Sequence, residues 1–188
     1  MKPSGSRTTP STSDARFKRT VERIGAEAFW LRTYQAAICG MKVHAIGLDF
    51  FRVSLNALKD ARLVRLIRLL EDDSQTASFW YLVRSNACLV RKAEEGRLDL
   101  DELQTIAGKL RGIRDKTFVH IDKDGVFDTQ RYYKEAGLTH AKVDKLIEGL
   151  WNTMQLLHMD VFGEEIPHDV YTGEDIRKLA DLRDASAA

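Results

Sequence analysis

The stretch Asp99–His120, DLDELQTIAGKLRGIRDKTFVH, decides the fold. Apolar or small residues at Leu103, Ile106, Ala107, Leu110, Ile113 and Thr117 recur at spacings of three and four, which places them on one stripe of an α-helix. Asp99, with Glu102 three residues later, is an acidic version of the capping box and opens that helix. At about 100° per residue, with Leu110 at zero, Arg114 falls near about +40° and His120 near about −80°, so both flank the inward stripe. Asp115 and Lys116 fall near about +140° and −120° and should face solvent. A guanidinium beside an apolar stripe is almost never buried unpaired, so this helix should line a cleft or a subunit interface. The same basic run, closed by a histidine, would also complement the helix dipole and cap the last carbonyls.

Working outward, the flanking sequence is helical throughout. From Asp14 to about Ile38, Phe17, Val21, Ile24, Ala28 and Leu31 share one face with Trp30 beside it, and Gly40 should end or bend the helix. A second region from about His44 to Glu71 carries Phe51, Leu55, Leu58, Val64, Ile67 and Leu70, with a break expected near Asp60. On it Lys59, Arg62, Arg65 and Arg68 recur every three residues, either as a solvated face or as a strip that positions phosphates.

Asp72-Asp73-Ser74 reads as a helix stop and N-cap. It precedes a third helix from Gln75 to Glu95 whose inner face is Phe79, Leu82, Val83, Asn86 and Val90. The last core helix, about Thr139 to Met159, carries Val143, Leu146, Ile147, Leu150, Met154 and Leu157, with Trp151 widening the stripe. These patterns predict an all-α fold, an antiparallel bundle of four or five long helices with a short C-terminal helix. The only strand it leaves room for is a short ribbon near Ile121 to Phe127. The organisation expected is a disordered leader over 1–13, a helical bundle over 14–161, and a linker with the short terminal helix over 162–188.

The chain of 188 residues carries a formal net charge of only +1, which argues against a polybasic nucleic-acid binder and requires that any such binding come from a local patch. Cys39 and Cys88 lie among apolar neighbours without a C-x-x-C partner and are expected to be reduced core residues. No apolar run is long enough for a membrane span and no secretory h-region opens the chain, so no membrane partner and a cytoplasmic location are expected.

Chemical motifs are otherwise scarce. Counted from Asp122, glycine falls at the fourth rather than the sixth position and Tyr133 stands where a calcium loop needs glutamate. His158, Asp160, Glu164, Glu165 and His168 match no metal-site spacing. No metal and no cofactor is expected, and no phosphate loop, dinucleotide fingerprint or nucleophile elbow is present.

Of the five histidines, only His120 follows an arginine by five to seven residues. Arg114-Asp115-Lys-Thr-Phe-Val-His120 resembles the R-x4-6-H signature of the HEPN (higher eukaryotes and prokaryotes nucleotide-binding) superfamily, in which Asn, Asp or His often follows the arginine. "RDKTFVHIDKD" after long helices and "LVRLIRLLEDDSQTAS" resembles its abortive-infection, phage-defence (AbiU-like) branch over roughly residues 20 to 160.

The resemblance implies a homodimer whose composite cleft is a metal-independent endoribonuclease. Arg114 would bind phosphate, His120 would act as acid or base, and Asp115 would orient one of them. Such residues suit the chemistry: histidine moves protons near neutral pH and the guanidinium fork stays charged on a phosphate. Arg111, Lys116, Lys123, Arg62 and Arg65 are further candidate RNA contacts. RNA, a second copy of the chain, and an antitoxin or other defence-system protein are the implied partners. The contrasting reading is a non-catalytic module that binds RNA, nucleotide or a partner protein.

Overall fold

The computed structural model describes residues 12–42, 49–116, 134–167, 171–172, 174–175 and 178. Among the described residues six helices carry the fold: α1 (Thr12–Lys42), α2 (Asp49–Leu69), α3 (Phe79–Ser85), α4 (Cys88–Glu95), α5 (Leu100–Arg114) and α6 (His140–Phe162). No strand occurs among the described residues, so the fold is all-α. The ribbon expected near 121–127 lies outside those residues, as do residues 1–11 of the expected leader. Thr12 and Ser13 already belong to α1.

The apolar stripes meet as their spacing requires. Val21, Ile24, Ala28 and Leu31 of α1 are buried against Leu146, Ile147, Leu150, Met154 and Leu157 of α6, in one core with Leu66, Leu70, Phe79, Leu89, Leu103, Ile106 and Leu110. Burying a leucine, isoleucine or phenylalanine side chain contributes about 1.5–3 kcal/mol, so this shared core dominates the stability of the bundle.

Chain direction follows from cross-helix contacts. Gln35 Nε2 donates to the Asp144 carbonyl, Arg32 lies over the Trp151 ring, and Gly25 faces Ile166, so α1 and α6 run in opposite senses. The ion pair of Lys92 with Asp160 and the close approaches of Gly96 to Thr153 and Gly149 to Leu98 make α4 and α6 opposed as well.

Local chemistry explains most boundaries. Thr139 caps α6 by accepting from the Lys142 N–H, and Gly163, at φ 78°, closes it in the left-handed conformation. Asp99 accepts from the N–H groups of both Asp101 and Glu102, as the capping pattern predicts, and opens α5.

Several expectations are corrected. Gly40 does not end α1, which runs to Lys42, and α2 is unbroken at Asp60. The single third helix is two short ones, α3 and α4, separated at Asn86 and Ala87. The carboxamide of Asn86 turns back to accept from the Cys88 N–H, a local bond that competes with helix continuation. Val90 is exposed as a result, and so is Val64 of α2. Both cysteines are free and exposed, because each falls on the outer side of its helix. Residues 162–167 are less of a linker than expected: Ile166 is buried in the core and its N–H donates to Gln155 Oε1.

Candidate functional site

α5 presents its predicted face. Leu103, Ile106, Leu110 and Ile113 are buried, and Arg114 follows in the last turn at the edge of that stripe. Its side chain is 30% exposed, and two carboxylates from different elements hold it. Nε donates to Asp115 Oδ1 at 2.9 Å and Nη1 donates to Glu71 Oε1 at 3.0 Å. The hydrogen bond to Asp115, with that to Glu71 behind it, holds the guanidinium above its ordinary pKa, so it is permanently charged.

Asp115 therefore does not turn away from Arg114. It keeps a helical backbone, with its N–H bonded back to the Arg111 carbonyl, while the long arginine stem lets Nε swing over its carboxylate. A projection of Cα positions takes no account of that reach.

Glu71 belongs to a turn that the sequence suggested only as a helix stop. Its neighbour Leu70 accepts from the buried Trp80 Nε1–H at 3.1 Å, Thr76 Oγ1 donates to the Asp73 carbonyl at 3.0 Å, and the Gln75 N–H donates to Asp73 Oδ1 at 2.7 Å. Asp72 accepts from Arg84 Nη1 at 2.6 Å and also interacts with Gln104 and Arg111 of α5. The Arg84 hydrogen bond draws the Asp72 carboxyl below the usual carboxylate range, with Gln104 and Arg111 adding to it. Arg111 is thus exposed but faces an acidic neighbour. The available signal for this arrangement was the acidic run Glu71-Asp72-Asp73 itself, directly after a basic helix.

Two of the basic residues of α2, Arg62 and Arg65, are engaged within the fold. Arg62 is 4% exposed and its Nη1 donates to Asp144 Oδ1 at 2.6 Å. Its Nη2 lies 3.3 Å from His140 Nδ1. Arginine is a donor only, so His140 accepts at Nδ1 and carries its proton on Nε2. Arg65 Nη1 donates to Glu27 Oε2 at 2.5 Å and its guanidinium lies over the rings of Trp30 and Tyr34. Burial works against its charge, but Tyr34 and Glu27 raise its pKa overall. Arg62 and Arg65 thus serve the packing of α2 on α1 and α6.

Lys116 is exposed one residue beyond Asp115. His120 and Lys123 lie outside the described residues. Among the described residues no cluster of His, Cys, Asp and Glu is arranged to hold a metal. His158 instead pairs through Nδ1 with the Glu164 carbonyl at 2.7 Å, and Asp160 pairs with Lys92. No helix of the described residues is long and apolar enough to cross a membrane.

A helical bundle that sets an arginine at the end of a buried-stripe helix, with the histidine of the R-x5-H pattern following in sequence, has the layout of a HEPN-type chain. The sequence model HEPN_AbiU2, described as AbiU2, matches residues 14–182, and the chain belongs to that family. The match runs past α6, in keeping with Ile166 packing into the core. No curated protein and no solved structure matches the chain.

Proposed function

We propose that this protein is a metal-independent endoribonuclease of HEPN type, a toxin or phage-defence effector that cleaves RNA in a cleft formed by two copies of the chain. The observation that carries the reading is Arg114. A permanently charged guanidinium stands in the last turn of α5, partly exposed, oriented by two carboxylates, and followed in sequence by His120. Asp115 takes the Nε hydrogen and Glu71 one of the two on Nη1, which leaves Nη2 and the second Nη1 hydrogen as donors for phosphate oxygens.

In the reaction, a histidine base takes the proton of the RNA 2′-OH and O2′ attacks the adjacent phosphorus. The P–O5′ bond breaks and the leaving 5′-oxygen receives a proton. Arg114 stabilises the negative charge that builds on the non-bridging oxygens. The products are a 2′,3′-cyclic phosphate and a 5′-OH end. The nucleophile comes from the substrate, so cleavage should survive chelation. One chain supplies one arginine and one histidine of the motif, and a two-fold axis would bring two of each to one scissile bond.

A second reading rests on a specific observation: two carboxylates around one guanidinium leave the neighbourhood of Arg114 acidic, which suits a module that binds a partner without cutting RNA. One set of variants separates the two. Arg114→Ala and His120→Ala should each lower RNA cleavage by about 10² to 10⁴-fold with an unchanged helical circular dichroism spectrum. His120→Ala should also abolish toxicity on expression. Equal toxicity of wild type and His120→Ala, or a strictly monomeric protein in light scattering, would favour the non-catalytic module.

A further inference from the structure

We infer that Glu71 is a positioning residue for Arg114, a role that rests on the endoribonuclease reading only for its catalytic consequence. The two residues are 43 positions apart and belong to different elements, yet Glu71 Oε1 takes the Nη1 hydrogen of Arg114 at 3.0 Å. Asp115 alone would fix only Nε, and the guanidinium could still swing about that bond. A second anchor on another nitrogen removes the swing and fixes the plane, so that Nη2 points in one direction.

The anchor is itself held. The turn after α2 is pinned by the Trp80 indole on the Leu70 carbonyl, by Thr76 and Gln75 on Asp73, and by the pairing of Asp72 with Arg84. A side chain on such a turn keeps its place, whereas one on an unbraced loop would follow the arginine. Two further observations fit. The Glu71 carboxylate is 35% exposed and contacts Arg114 through one oxygen, so the pair adds little to stability and its value lies in orientation. Asp72 on the same turn also attracts the Arg111 charge near that end of α5.

The test compares Glu71→Gln and Glu71→Asp with wild type in single-turnover and steady-state cleavage of a short RNA, together with ¹⁵N relaxation of the Arg114 Nη groups. Glu71→Gln should lower kcat by up to about 10²-fold with little change in KM, since a misplacement near 1 Å can cost that much. Glu71→Asp should retain part of the rate. The order parameter of the Arg114 Nη groups should fall in Glu71→Gln, while Nε–H, still held by Asp115, stays ordered. Adding Glu71→Gln to Arg114→Ala should change nothing further.

An unchanged order parameter would overturn the inference, and so would a Glu71→Gln protein that cleaves as fast as wild type or faster with a lower KM. The last result would mean that Glu71 competes with phosphate. If the wild-type protein cleaves no RNA, the endoribonuclease reading fails and the relaxation measurement alone decides whether Glu71 orients Arg114.

Discussion

Replacing Arg62 with alanine should destabilise the fold and leave RNA cleavage by the folded fraction intact. The side chain is 5% exposed and pairs with Asp144, whose own side chain is 24% exposed. Removing one partner of a buried ion pair costs about 3–5 kcal/mol, because the survivor stays desolvated without compensation. Asp144 keeps some water, so the lower end, about 3 kcal/mol, applies. For a chain of this length each kcal/mol moves the midpoint by about 2–4 °C, which gives a fall of roughly 6–12 °C in Tm. Thermal unfolding followed at 222 nm reads this directly. The double variant Arg62→Met/Asp144→Leu removes both charges and should recover most of the loss, since a buried pair is often replaced by apolar residues at little cost. A fall in Tm of less than about 2 °C for Arg62→Ala, or a loss of RNA affinity at full stability, would refute the structural role and return Arg62 to the list of RNA contacts.

Three further variants probe the α4–α6 contact and the acidic turn. Gly96→Ala would place a Cβ 2.5 Å from Thr153 Oγ1 and 2.8 Å from the Thr153 backbone nitrogen, so α4 and α6 must separate, at a cost of about 1–3 kcal/mol in urea unfolding. Gly149→Ala, whose nearest contacts are at 3.2 Å, should cost less than Gly96→Ala. The Asp72 carboxyl is held below its usual range, mainly by Arg84, so its contribution is present above the ordinary carboxylate pKa and is lost as pH falls through the folded-state value. The Tm difference between wild type and Asp72→Asn should therefore be small but measurable at pH 7 and shrink progressively as pH falls below the ordinary carboxylate range.

The long helices were legible because periodicity alone fixes a stripe. The predicted faces of α1 and α6 are the buried ones, and the inward residues of α5 are Leu103, Ile106, Leu110 and Ile113. The Asp99 cap was legible because its signal is local, whereas Thr139 was read only as the start of the last helix. What escaped was decided by partners distant in sequence or by competing local bonds. Nothing around Arg62 announces Asp144, 82 residues away, so a basic stripe at a spacing of three looked solvated when one member was buried. The split at Asn86 depends on a carboxamide choosing the Cys88 N–H, which periodicity does not register. Arg114 was singled out by its pattern, whereas its partner Glu71 lies 43 residues upstream on another element.

The close seat of Leu98 and Gly96 on α6 has a mechanical meaning for the other end of α5. At 1.5 Å per residue the 15-residue helix is about 22 Å long, and its foot rests where Gly149 lets the chain at Leu98 approach. The helix acts as a lever with its fulcrum at Asp99 and Arg114 at the tip. A tilt of about 5° at the fulcrum would move the tip by about 2 Å, enough to break the hydrogen bond of Arg114 to Glu71. Gly149 of α6, with no side chain of its own, therefore bears on the position of an arginine at the far end of another helix.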